Sequence, residues 1–203
     1  MAAGRDLIAG LLLAAGASTR MGGPNKLLLP VGGTPLVRRA AETLLAAGLA
    51  PVVVVLGRDA ARVAEALDGL AVTSVENPEF AHGMAGSLRR GVEALGPEVG
   101  AVAVALADLP ALRPETVRAV CRAFRASPRG VAVPVWRGRR GHPAVFDLAR
   151  YRVALAAVEG DRGARGVLEA HPEDVLQVPV EDPGICVDVD TPADWAALEG
   201  QGR

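Results

Sequence analysis

What most constrains this chain is a rhythm in which apolar runs of strand length alternate with segments whose apolar residues recur at helical spacing. Runs at about residues 7–14, 52–57, 71–75 and 101–106 are rich in Val, Leu and Ala. Strands covered by helices on both faces read this way. The intervening segments 35–48, 59–67, 84–95 and 114–126 read as crossover helices, several opening with proline and closing at glycine or proline. Repeated βα units specify an α/β fold, here an open three-layer α/β/α sheet that is mostly parallel. The rhythm changes after residue 130. Segments 131–136 and 143–146 flank a basic, glycine-containing loop and predict a hairpin or antiparallel excursion. Two short helices follow, one either side of residues 160–163, then strands at 175–180 and 185–189 and a last helix at about 192–198. No repeat or linker breaks the chain, so residues 1–203 are expected to form a single domain.

Composition narrows the functional classes. No uncharged apolar run approaches the ~20 residues that span a bilayer. The apolar stretch after Arg5 and Asp6 leads into a glycine loop rather than a cleavage site. A soluble, cytoplasmic protein without a membrane partner is expected. Net charge is −1 and aromatic residues make up 3% of the chain, so the basic stripe and stacking platforms of a nucleic-acid binder are missing. Cys121 and Cys186 lack metal-ligand spacing and are expected to be inert.

Chemistry concentrates where the first strand ends. Leu13, Ala14, Ala15 and Gly16 lead into a loop carrying Arg20, Gly22, Gly23 and Lys26. A loop without bulky side chains at the carboxyl end of a parallel strand lets backbone N–H groups approach phosphate oxygens, and Arg20 and Lys26 add positive charge. The loop is neither a Walker sequence nor a GxGxxG fingerprint. Its lysine is singular: of 22 basic residues, 21 are arginine and only Lys26 is not. A compact point charge and a planar fork are not equivalent beside phosphate.

The segment LAAGASTRMGGPNKLLLP, together with NPEFAHGMAGSL at 77–88, ALADLP at 105–110, RGHPAVF at 140–146, GDRGAR at 160–165 and DVDTPADW at 188–195, resembles the MobA-like nucleotidyltransferases, and among them the molybdenum cofactor cytidylyltransferases. The resemblance spans most of the chain. It implies a Rossmann-like nucleotidyltransferase fold and transfer of CMP from CTP to a phosphorylated acceptor, the molybdopterin form of the cofactor, with release of pyrophosphate. It further implies that Leu13 to Gly16, Arg20 and Lys26 bind the nucleotide, that Asn77 and Ser87 read base and ribose beside Gly83 and Met84, and that His142, Arg162 and Arg165 bind the acceptor. Mg2+ would be held by Asp108 and by Asp190, the aspartate immediately before Thr-Pro, with Asp188 as the second choice. Guanylyltransferase relatives usually carry Gly-Gly where this chain has Ala15-Gly16, a departure that favours CTP over GTP.

Plainer readings stand beside these. Asp108 or Asp190 can cap a following helix, as can Thr191 ahead of Pro192, and Ser87 can cap the helix near it. Arg162 and Arg165 can be a solvated turn. A sugar or polyol phosphate is the alternative acceptor, and a catalytically silent nucleotide-binding module is the alternative from another class.

Overall fold

The computed structural model describes residues 4–16, 23, 25–191 and 193–196. Its principal sheet starts from β1 (Ile8–Ala14), every residue of which is buried. A helix α1 (Leu36–Ala46) returns the chain to β4 (Val52–Leu56), and α2 (Ala60–Ala66) returns it to the edge strand β5 (Val72–Glu76). Between β1 and α1, β2 (Pro30–Val31) and β3 (Thr34–Pro35) form a small antiparallel hairpin. The chain then crosses through α3 (Met84–Glu93) to β6 (Ala101–Leu106), which pairs in parallel with the other side of β1. Helix α4 (Pro114–Ala126) leads to β7 (Val131–Trp136), a short β8 (Arg139–Arg140), β9 (Ala144–Asp147), α5 (Leu148–Ala156), α6 (Arg165–Ala170) and β10 (Val175–Pro179). The strand order is β10-β7-β9-β6-β1-β4-β5.

Alternation along the apolar strands builds the three layers. Ile8, Leu12 and Ala14 of β1 join Val52, Val54 and Leu56 of β4 in one core, against Leu36 and Leu44 of α1, Val63 of α2 and Val117 and Phe124 of α4. The intervening residues Leu11, Leu13, Val53 and Val55 face a second core with Leu88 of α3, Leu155 of α5 and Val167 of α6. Gly91 lets α3 lie close on the sheet, because a Cβ there would run into the Leu11 side chain.

The mostly parallel three-layer expectation is met, as is the antiparallel pairing expected of 131–136 and 143–146, here β7 and β9. Two features differ. β9 lies inside the sheet, antiparallel to β6 as well as to β7. All four of its residues are buried, which a short apolar run cannot reveal by its pattern. Residues 185–189 form no strand. A 3-10 turn at Pro183–Ile185 precedes an extended segment without a ladder, because Asp182 claims that turn. Its carboxylate accepts from the Gly184 N–H at 2.9 Å, from Thr116 Oγ1 at 2.6 Å and from the Arg113 N–H at 3.3 Å, at the start of α4.

Asp182 is 2% exposed, so its removal strands several polar groups. Asp182→Ala is expected to lower stability by roughly 1–3 kcal/mol, the cost of leaving buried donors unpaired. Chemical denaturation measures this, and a loss below 0.5 kcal/mol, the level of about an ordinary surface change, would contradict the assignment.

The chain order places a ligand crevice. From β1 the chain moves outward to β4 and β5, then returns to the opposite side of β1 at β6, so the direction of winding reverses between β1 and β6. Open α/β sheets bind ligands outside the strand ends at such a point.

Candidate active site

A cleft of about 400 Å³ opens at that switch point, within the size range of small-molecule sites. Leu13, Ala15 and Gly16 at the end of β1 and Leu106 at the end of β6 form one side of it. Phe80, Ala81, Gly83, Met84 and Ser87 line it from the β5–α3 connection and the start of α3, and Asp161 from the α5–α6 loop. Lys26, Asp108 and Asp190 form its charged end.

Lys26 is placed by its neighbour. Asn25, 1% exposed, accepts the Leu27 N–H through its side chain at 3.1 Å and donates to the Arg58 carbonyl at 3.0 Å. That fixes a 3-10 turn at Lys26–Leu28 and ties it to the loop beyond β4. The ammonium points inward and donates to Asp108 Oδ2 at 2.7 Å, Asp190 Oδ1 at 2.7 Å and the Val189 carbonyl at 2.8 Å. Burial by itself would lower the Lys26 amine, but the charge and hydrogen bond of Asp108, then those of Asp190, outweigh it and hold the amine above 10.5. Lys26 is therefore an ammonium throughout the neutral range.

The two carboxylates come from segments far apart in sequence. Asp108 lies two residues beyond β6, where Ala107 donates to the Leu13 carbonyl at 3.1 Å. The Val189 N–H donates to the Asp108 carbonyl at 3.1 Å, so the late segment is stitched to the β6 loop. Thr191 and Asp194 then make a reciprocal cap: Asp194 Oδ2 accepts from the Thr191 N–H at 2.8 Å and its hydroxyl at 2.7 Å, and the Asp194 N–H donates to Thr191 Oγ1 at 3.2 Å. Capping thus falls to Thr191, leaving the Asp190 carboxylate to meet Lys26. Asp188 is exposed. Neither Asp108, just beyond β6, nor Asp190, which follows a segment that forms no strand, simply faces solvent, because both side chains grip a buried lysine.

The other expected residues divide. Ser87 lines the cleft, whereas Asn77 is buried behind it, donating to Ser87 Oγ at 3.0 Å and accepting the Glu79 N–H at 3.1 Å. Ala14 turns into the opposite core. Arg20 lies outside the described residues. Arg162 is exposed, and Arg165 pairs with Glu169 at 2.8 Å on α6, outside the cleft lining. His142 sits beneath the late segment: its N–H donates to the Ile185 carbonyl at 2.8 Å and its Nδ1 lies 3.3 Å from the Val104 carbonyl. Gly141 is needed there because a Cβ would strike Ile185.

Asp161, Phe80 and Leu106 lie within the motif segments GDRGAR, NPEFAHGMAGSL and ALADLP, but have no role assignable from sequence, because nothing in residue type or spacing shows that they face the cleft. Asp161 reaches the cleft because Gly83, at φ 109°, leaves room for the loop: a Cβ there would lie 2.7 Å from Asp161 Oδ1 and 2.8 Å from the Gly160 carbonyl. The Ala85 N–H also donates to that carbonyl, at 3.0 Å.

Burial lowers the His142 imidazole below 6.5, only partly offset by the Val104 carbonyl and by the charges of Asp108 and Asp188. A group depressed in the folded state contributes stability above its unfolded pKa and loses it as pH falls through the folded one. The melting temperature of the wild type is therefore expected to drop more steeply below pH 6.5 than that of His142→Gln. Parallel curves would remove His142 from the acid response.

A MobA-like NTP transferase domain matches residues 10–175. The molybdenum cofactor guanylyltransferase of Cupriavidus metallidurans is 30% identical over 192 residues, covering 92% of each chain. The nicotine blue oxidoreductase of Paenarthrobacter nicotinovorans is 35% identical over 196 residues, 91% of this chain and 92% of that one. Among solved structures, a nucleotidyl transferase from Methanothermobacter thermautotroptrophicus superposes with a TM-score of 0.83 at 26% identity, covering 97% of this chain and 98% of the other. The fold is that of nucleotidyltransferases. The chain belongs to the MobA-like NTP transferase family. Among the described residues, no helix is long and apolar enough to cross a membrane.

Proposed function

We propose that the protein transfers CMP from CTP to a phosphorylated acceptor, the molybdopterin form of molybdenum cofactor, in the cytoplasm. The observation that carries the transferase chemistry is the convergence of Lys26, Asp108 and Asp190 at one end of a nucleotide-sized cleft. Phe80 and Met84 offer apolar surface for a base, with Ser87 as a polar contact. Ala15 supports the smaller pyrimidine. Its methyl lies in the cleft wall, pressed so near Gly57 that a Cβ on that glycine would be 2.8 Å away.

Magnesium fits the donor set. Two carboxylates with substrate phosphates and water make a usual magnesium site, and Asp108 Oδ1 is buried with no hydrogen-bond partner among the described residues. Asp108 and Asp190 would hold the ion, which supplies Lewis-acid stabilisation of phosphate charge. A phosphate oxygen of the acceptor attacks the α-phosphorus in line, the new P–O bond forms as the bond to pyrophosphate breaks, and no general base is needed. Lys26 stabilises charge growing at the α-phosphate. Arg20 holds the β- and γ-phosphates. Ser87, kept in place by Asn77, orients the nucleoside, and the exposed Arg162 with His142 and Arg165 serves the acceptor side, Arg165 exchanging Glu169 for the acceptor's phosphate.

GTP is the second reading, favoured by the relative named molybdenum cofactor guanylyltransferase. Pyrophosphate release from each of the four nucleotides, with molybdopterin and with magnesium added or chelated, decides between them. CTP is expected to give the highest kcat/KM. A preference for GTP would move the protein to guanylyl transfer. Absence of pyrophosphate with every nucleotide and acceptor would sink the transferase reading and leave the likeness to the oxidoreductase to be pursued.

A further inference from the structure

The seat between Asp108 and Asp190 is closed by the protein's own cation. The Lys26 ammonium has three N–H donors, and each has an acceptor: the two carboxylates at 2.7 Å and the Val189 carbonyl at 2.8 Å. The side chain is 10% exposed. A divalent ion held by both carboxylates would have to share them with the ammonium, which already occupies Asp108 Oδ2 and Asp190 Oδ1, and two cations on one pair of carboxylates repel each other. Evicting Lys26 without offering it another anion would strand a buried charge, which is costly. A triphosphate changes the balance by supplying that anion.

We propose that Lys26 is a displaceable counterion: without nucleotide it fills the seat between Asp108 and Asp190 and keeps free divalent ions out. It yields the seat only when the metal arrives together with phosphates that can take the ammonium. The inference rests on the nucleotide reading above, and it makes metal entry depend on substrate. The lysine also neutralises two carboxylates that would otherwise repel across the seat.

Lys26 is the only lysine of the chain, so protein labelled with 15Nζ-lysine gives a single side-chain ammonium resonance. In the wild type, Mg2+ alone is expected to leave that resonance unmoved, whereas Mg2+ with CTP shifts it. A second measurement follows Mn2+ binding without nucleotide by electron paramagnetic resonance. Lys26→Met is expected to bind free Mn2+ more tightly than wild type by roughly tenfold or more, since a unit of competing charge has left a partly buried carboxylate pair. Lys26→Met combined with Asp190→Asn is expected to return to weak binding.

A shift of the wild-type resonance by Mg2+ alone, or no gain in Mn2+ affinity on Lys26→Met, would overturn the proposal. If Lys26→Met fails to fold without metal, the wild-type resonance decides. Tight Mn2+ binding by the variant beside no CTP binding by wild type would support the counterion and discard the nucleotide reading. CTP binding with unchanged Mn2+ affinity would do the reverse.

Discussion

Lys26→Arg is expected to fold, to keep most of its CTP affinity and to lose turnover by about a hundredfold to a thousandfold, the usual consequence of misplacing one charged donor in a transition state. The seat explains why charge alone does not suffice. Three acceptors converge within 2.8 Å of one nitrogen, and a planar guanidinium cannot direct its donors inward to a single point. The chain carries arginine at every other basic position, so a lysine that served only as surface charge would tolerate the exchange. The defect should appear in kcat more than in nucleotide binding, because the interaction strengthens as charge grows. Since Lys26 is held above 10.5, its contribution to stability is complete below that pH and is lost only as pH rises through the folded value. Assays at neutral pH therefore compare a charged lysine with a charged arginine. Wild-type turnover in Lys26→Arg would return this residue to general phosphate attraction.

Asp108→Asn is expected to abolish magnesium-dependent turnover while leaving the fold nearly intact, because the amide keeps the side-chain shape and can still accept from Lys26. Asp108→Ala is expected to be inactive as well and to lose roughly 1–3 kcal/mol of stability, since Lys26 would be left with one carboxylate partner in a site where its side chain is 10% exposed. Comparing the two variants by denaturation and by turnover separates charge from scaffold. Asp190→Asn should follow Asp108→Asn. Full activity in Asp190→Asn with loss in Asp188→Asn would reverse the assignment of the second carboxylate, whereas the exposure of Asp188 favours Asp190.

Much of the architecture was legible because it depends on local pattern. The strands at 8–14, 52–56 and 101–106 and the helices between them fall within one or two residues of the segments read from periodicity. Two-sided burial demands continuous apolar runs, and such runs are visible without contacts. β9 resisted this reading because a four-residue apolar run is the same at a sheet edge and at its centre. Residues 185–189 misled for a related reason. Their strand-like composition was overridden by the buried carboxylate of Asp182, whose partners lie 66 and 69 residues away.

The site divides in the same way. The singular lysine, the aspartate after a buried strand and the aspartate before Thr-Pro were each visible in the sequence, because residue type and position relative to a strand end are local properties. That Asn77 stands behind Ser87, that Asp161 reaches the cleft through the space at Gly83, and that Arg165 pairs along its own helix are properties of chain packing. By itself the sequence determined which charges this protein has available and that Asp108 follows a buried strand. Only the tertiary structure decided that one ammonium would occupy the seat between two carboxylates separated by 82 residues, because that meeting depends on the Val189 N–H and the Asp108 carbonyl joining two distant segments of backbone.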